Sequence, residues 1–500
     1  MILTMVTDNE LNPVLGIDLG TTFSSIARWD GRGPRVYQTK TGPETLQSVV
    51  YYNPQTQEIL VGDLAYHRGL VNPENMAFGV KRYMDDAHQN LLLGGQKFSP
   101  IELSSLILKR LYNDVTEKFP KGRFGSRGTV VTIPYYFKAH QCENTRKAAE
   151  NADINCIGIL QEPIAASLSY AWQLVQNYPD RQGAEKILVF DLGGGTFDLT
   201  LFELIQTKEK LFFEVLATGG DDRLGGMDFD ECLVQLLLEK SGLSLEGLSE
   251  RERRKSHQKL LEQAINAKIT LSATKETDVS VPDVIPGKHL ETKVTRPEFE
   301  NSIQVYLNKI EGIIEKLWAT ANISPSDVDR VILAGGSSRI PCMKTLLWDL
   351  IGEDKVYGNA NPLLCVAEGA AMYAAYLDDR EVFGRELEIR TRTCHALGVA
   401  TMGGKFEVII PANLKTPCQR KKLFTTSVDN VTDLNINVYQ GSATLVKDNT
   451  LIGTLSIAGL PQRTHDELDI WVTFKVSEEQ SLSVLIEVEG MRHTGVFTFT

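Results

Sequence analysis

Two short stretches hold the residues best suited to chemistry. In GIDLGTTFSS, Gly16 to Ser25, an apolar run ends in Asp18 and then in residues with small side chains. In VFDLGGGTFDLT, Val189 to Thr200, Asp191 ends a second apolar run ahead of Gly193, Gly194, Gly195 and Thr196. A tight turn of glycines and threonines leaves successive backbone N–H groups uncovered, and such groups converge on anions such as phosphate. Gly20 opens the first turn, and Thr21, Thr22 and Thr196 add hydroxyl donors. A carboxylate aimed at a polyphosphate makes sense with a cation between them, and magnesium takes carboxylates largely through its waters. One such stretch is as readily an ordinary hairpin with a turn aspartate. Two copies point to a Mg²⁺–nucleotide gripped between the lobes of a duplicated fold. The chain has neither a Walker A motif nor G-x-G-x-x-G, which sets aside the P-loop and dinucleotide folds.

Two textures surround these turns. Up to about residue 380, strand-like runs alternate with helical patterns, an α/β arrangement. SPIELSSLILKRLYNDV reads as a helix with Ser99 as N-cap, Pro100 at its first position and Glu102 closing a capping box. GTVVTIP, Gly128 to Pro134, reads as a buried strand with a helix following through Ala149. From about residue 397 the helical period vanishes. Leu434, Ile436 and Val438 alternate to one side, as do Leu468 to Val476 and Leu482 to Val488, the pattern of an all-β sandwich. The polar stretch FGRELEIRTRTC, Phe383 to Cys394, lies between the textures as a linker.

Composition narrows the function classes. The 500 residues exceed one core, and a net charge of −12 argues against nucleic acid as the main partner. The seven cysteines never fall in C-x-x-C spacing, which fits reduced thiols and no structural zinc. No secretory leader and no membrane-spanning run is visible, so the expectation is a cytoplasmic protein with no membrane partner.

The two turns, together with VTIPYYF, LQEPIAASLSYAW, GGDDRLGGMDFD, LAGGSSRIP and VAEGAAMYAA, resemble the ATPase domain of the heat-shock-70 chaperones, whose fold is that of actin and the sugar kinases. LGVATMGGKFEVIIPANLKTP, FTTSVDN and VYQG resemble that family's substrate-binding β-sandwich. The resemblance implies an actin-like nucleotide-binding domain over 1–384, a linker over 385–396 and a peptide-binding sandwich over 397–500 with no helical lid after it. It implies ATP/ADP and Mg²⁺ as cofactors, with Asp18, Asp191 and Glu162 around the metal and its waters. Lys81 is similar to the lysine that reaches the γ-phosphate and the attacking water, Asp198 to an acid near that water, and Thr196 to a phosphate contact. Gly335, Gly336, Ser337 and Arg339 resemble the segment that holds adenosine, with Arg339 stacked on the base. Lys268 and Ser272 resemble the helix that clasps ribose and adenine. Val399, Met402, Phe424, Ser427, Leu434 and Ile436 resemble the cleft and arch that take an extended hydrophobic peptide. Partners implied are unfolded polypeptides, a J-domain co-chaperone and a nucleotide exchange factor.

Several departures fall on working parts. Ile265 and Ile269 stand where the family has a ribose-contacting glutamate and an adenine-stacking arginine, so nucleotide affinity is expected to fall. Cys142 replaces the arginine partner of the switch residue Pro134, and Leu363-Leu364 alters a further box. The linker Leu387-Glu388-Ile389-Arg390-Thr391 is apolar only at alternate positions, and adds an edge strand less firmly than the family's apolar one. These changes leave a weak or uncoupled ATPase in a peptide-binding scaffold as the alternative to an ATP-dependent chaperone. A small-molecule kinase on the same fold is a more distant rival.

Overall fold

The computed structural model describes residues 12–85, 89–118, 125–357, 361–465, 467–477 and 481–498. Its first large sheet runs Cys156–Gln161, Gly128–Ile133, Val14–Asp18, Phe23–Trp29, Pro34–Val36. The second runs Val356–Tyr357, Arg330–Ala334, Gly183–Leu192, Phe197–Gln206, Lys210–Asp221, Glu386–Arg390. The two share one plan. The strand ending in the aspartate turns back as an antiparallel hairpin on one side and pairs with parallel strands on the other. A helix crosses between each parallel pair, Ala139–Asn151 in the first lobe and Pro341–Ile351 in the second. Another follows each pair and crosses to the other lobe: Glu162–Asn177 packs mainly on the second sheet and Cys365–Asp378 on the first.

Burial on both faces explains the unbroken apolar runs before the aspartates. In the second lobe, Leu188, Phe190 and Leu192 face one core, while Ile187 and Val189 face the core at the lobe junction. In the first lobe, Leu15 and Ile17 face the lobe's own core. Gly16 faces the other way, against the helix Cys365–Asp378, where an added Cβ would lie 2.0 Å from the Ala371 nitrogen. That helix and Glu162–Asn177 meet just as closely, since a Cβ on Gly369 would lie 1.7 Å from the Ala165 carbonyl oxygen. Small residues therefore let two helices and a strand pack backbone to backbone under the cleft.

The expected helix at Ser99 is present as Pro100–Thr116 with both halves of its capping box formed. After Glu386–Arg390 the chain enters a sandwich of two four-stranded antiparallel sheets. Between them lie Ile470, Val472, Phe474, Val476, Leu482, Val484, Ile486 and Val488, all nearly inaccessible. The linker is pinned at its start, where Phe383 packs edge-on against Trp29 at 5.4 Å between ring centroids. Its strand lies parallel to Lys210–Asp221, with Leu387 buried and Glu388 paired to Lys210.

Candidate functional site

The two turns face each other across the cleft between the lobes. An added Cβ on Gly194 would lie 1.8 Å from Thr22 Oγ1, and one on Gly195 would lie 2.5 Å from Thr21 Cγ2. The first turn is braced by Ser24 and Ser48: Gly20 N donates to Ser24 Oγ at 3.1 Å, and Ser48 Oγ donates to the Gly20 carbonyl at 2.8 Å. The second is braced by the helix Gly226–Ser241, whose Gly226 N and Met227 N donate to the carbonyls of Gly193 and Gly194 at 3.0 and 2.8 Å. Among the described residues, the amides of Thr21, Thr22, Gly194 and Gly195 donate to no protein acceptor. They stand ready for an anion.

Under the turns lie four carboxylates and one ammonium. Lys81, from the short turn Val80–Tyr83, is buried and paired with Glu162, the first residue of the helix Glu162–Asn177. Asp198 lies opposite Asp191 across the hairpin, and its Oδ1 accepts the amides of Tyr135 and Tyr136 at 3.0 and 3.3 Å. Thr132 Oγ1 donates to Asp18 at 3.3 Å. Burial, followed by the charge of Glu162, pushes Asp18 up to about 7 and Asp198 up to about 8. Burial also raises Asp191, with Glu162, Asp198 and Asp18 adding to the shift. One buried lysine leaves this acid set undercompensated, which is the environment a divalent cation relieves. Among the described residues no group of three acids converges closely enough to hold a metal directly. The donor set therefore suits an ion carrying its own waters and phosphate oxygens.

The residues expected to hold adenosine are nearby but committed to protein partners. Lys268 is paired with Asp230 at 2.6 Å and donates to the Gly226 carbonyl at 3.1 Å. Ser337 Oγ donates to the Gly193 carbonyl at 2.9 Å, tying Gly335, Gly336 and Ser337 to the phosphate turn. Gly335 holds φ +74°, and a Cβ there would lie 2.4 Å from the Leu192 carbonyl oxygen. Ser272 Oγ donates to its own helix at the Lys268 carbonyl. Arg339 donates to Asn361 Oδ1 at 2.8 Å. Ile265 packs partly against the second-lobe core, and Ile269 is 60% exposed.

In the sandwich, Val399 and Ile436 are buried in the core, with Phe424 and Leu434 packed at its margin. Met402 is 79% exposed and Ser427 lies at the surface. The structure thus joins four of the six expected peptide residues in one apolar cluster and leaves the two arch residues outside it.

Residue types and spacing did not single out the side chains that seat the sandwich on the ATPase lobes. Arg392 donates through Nε to the Val215 carbonyl at 2.7 Å and through Nη1 to the Asn413 carbonyl at 2.8 Å. Its own carbonyl accepts the Tyr135 hydroxyl at 3.0 Å. Gln440 Oε1 accepts Ala139 N at 3.1 Å, Cys394 Sγ donates to the Tyr135 carbonyl, and His395 Nε2 donates to the Tyr136 carbonyl at 3.0 Å. Cys142 lines a cavity of about 40 Å³ between the domains, with Tyr135, Cys394, His395 and Gln440. The only local sign was the arginine at a linker end.

A duplicated α/β ATPase with acidic phosphate turns, joined to a docked β-sandwich, is the class these features define. The chain matches the Hsp70 protein family over residues 14–494. It is 35% identical to chaperone protein dnaK of Phaeodactylum tricornutum over 95% of this chain and 78% of that protein. It is 36% identical to chaperone protein DnaK of Thermotoga maritima over 93% of this chain and 76% of that protein. It is 35% identical to chaperone protein dnaK1 of Nostoc over 95% and 70%. The chain belongs to the Hsp70 family and is an ATP-dependent chaperone of that type. Nothing in these matches favours the scaffold alternative. Among the described residues no helix is long and apolar enough to cross a membrane.

Proposed function

We propose that residues 1–384 bind Mg²⁺–ATP between the two turns, and that residues 397–500 bind extended apolar segments of unfolded polypeptides. Residues 385–396 join the two. The buried acids around Lys81 carry this reading, because they are an anionic pocket under two rows of free amides. Bound Mg²⁺ would supply charge to neutralise developing negative charge on phosphoryl oxygens. Asp18, Asp191 and Glu162 would hold its waters. Thr21, Thr22, Gly193, Gly194, Gly195 and Thr196 orient the phosphates through amides and hydroxyls. Lys81, fixed by Glu162, holds positive charge where the γ-phosphate sits, and Asp198, fixed by two amides, orients the water. Lys268, Ser272, Gly335, Gly336, Ser337 and Arg339 line the nucleoside end.

Val399, Phe424, Leu434 and Ile436 would offer the apolar pocket, with Met402 and Ser427 closing over the peptide backbone. A J-domain protein and a nucleotide exchange factor would act on this cycle, as the family resemblance implies. The reading is tested by single-turnover ATP hydrolysis in the native chain and in Lys81→Ala, with peptide release followed in parallel. Loss of hydrolysis in the variant with nucleotide still bound supports it. An unchanged rate constant contradicts it.

A further inference from the structure

Two thiols share the domain junction. Cys142 lies on the helix Ala139–Asn151 and belongs to the first-lobe core, only 4% exposed. Cys394 lies between the linker strand Glu386–Arg390 and the first sandwich strand, Ala396–Thr401. Both line the cavity of about 40 Å³ between the domains, along with Ile133, Phe137 and Leu397. Cys394 Sγ donates to the Tyr135 carbonyl at 2.9 Å, which directs it at the first lobe. Tyr135 also donates its amide to Asp198, so this junction adjoins the acid set.

The reactivity of a thiol follows its thiolate. Burial pushes Cys142 up to about 12. Burial, followed by the charge of Cys142, raises Cys394 well above the ordinary thiol range. The two sulfurs thus lie within electrostatic reach of one another. While the domains are docked, both groups stay protonated and are slow to oxidise. Undocking takes Cys394 off the Tyr135 carbonyl and admits water to both.

We propose that Cys142 and Cys394 are a disulfide-forming pair, and that their bond, made when hydrogen peroxide is present, clamps the sandwich to the first lobe. The proposal rests on the docked arrangement of linker and sandwich, and holds whichever nucleotide or peptide is bound. In the first step one thiol takes an oxygen as the peroxide O–O bond breaks, giving a sulfenic acid and water. The second thiol then displaces hydroxide from that sulfur and forms the S–S bond. Its proton leaves with the hydroxide as a second water. Two thiols lose two electrons, and the peroxide gains them. Oxidation begins with the domains apart and is completed as they meet, so it traps the docked state.

The test takes the full chain, reduced and then freed of reductant, and exposes it to hydrogen peroxide. Remaining thiols are alkylated, and the protein is digested without reduction for mass spectrometry. The expected product is a cross-linked peptide pair holding Cys142 and Cys394, two hydrogens lighter than its parts and cleaved by dithiothreitol. Amide exchange of residues 386–390 should then slow by about tenfold or more relative to the reduced chain, the scale on which a cross-link stabilises the state it bridges. Cys142→Ala, and Cys394→Ser, whose hydroxyl can still donate to the Tyr135 carbonyl, should give no such pair and no slowing with peroxide. If a variant does not fold, the native chain decides, because its slowed exchange must reverse with dithiothreitol. Recovery of Cys142 and Cys394 as alkylated or sulfinic species, or joined mainly to other cysteines, overturns the pair. A cross-link that leaves linker exchange within about twofold of the reduced chain overturns the clamp.

Discussion

Replacing Arg392 by alanine should undock the sandwich from the ATPase lobes. Its guanidinium joins the Val215 carbonyl in the second lobe to the Asn413 carbonyl in the sandwich, and its own carbonyl holds the Tyr135 hydroxyl of the first lobe. Two charge-assisted hydrogen bonds carry about 1.5–3 kcal/mol each. Burial works against them, because it disfavours the charged guanidinium and pulls its pKa down. The backbone contact to Tyr135 also survives the substitution. A net loss of about 1–3 kcal/mol follows, or about 5–150-fold in the docking equilibrium. The linker strand is the nearest reporter, since Glu386–Arg390 pairs in register with Lys210–Glu214 just ahead of Arg392. Amide hydrogen exchange of residues 386–390 should rise by about tenfold or more in Arg392→Ala, while exchange in the sandwich core stays unchanged. Linker exchange within twofold of native would refute the assignment of Arg392 as the staple between the three bodies.

Three further outcomes follow from the same geometry. Gly369→Ala drives a methyl into the Ala165 backbone; it should cost about 1–3 kcal/mol by overpacking and lower the Tm of the ATPase domain, and an unchanged Tm would contradict the packing. Burial, helped by the charge of Lys138, holds His395 below its usual 6.5, against the opposing pull of the Tyr136 carbonyl and Asp222. The docked state therefore binds fewer protons than the undocked one, so docking is fully present above pH 6.5 and weakens as pH falls below it. Linker protection factors, which take out the pH dependence of intrinsic exchange, should fall on acidification in the native chain and lose that step in His395→Gln. Gln440→Ala leaves the Ala139 amide without its acceptor, and should weaken docking by about 1–3 kcal/mol, read by the same exchange measurement.

The duplicated fold was legible because its signals are local. An apolar run buried on both faces, an aspartate and a turn of small residues recur in each lobe, and Ser99–Glu102 caps its helix as the sequence predicts. The alternation from Leu434 onward likewise reports a sandwich core that the structure fills. The repeated turns paired Asp18 with Asp191, but Glu162, Asp198 and Lys81 joined them only through the resemblance, since nothing within a few residues of Lys81 marks it as buried beside Glu162.

The docking contacts stayed hidden for a plain physical reason. Arg392, His395 and Gln440 bond to backbone atoms more than 170 residues away, and backbone atoms leave no pattern in side-chain types. The expected stacking role of Arg339 was also out of reach of local reading; the structure ties its guanidinium to Asn361. The linker shows the reverse case. Its alternating Leu387 and Ile389 suggested an edge strand, and the Lys210–Glu388 pair supplies polar support that an apolar linker lacks.

The most direct test of the central claim is calorimetric titration of ADP into the native chain and Asp191→Asn, with and without Mg²⁺. The buried acid set under two rows of free amides predicts tight binding that depends on Mg²⁺ in the native chain and a loss of that dependence in the variant. Binding of equal strength with and without the metal, or no binding in the native chain, would contradict it.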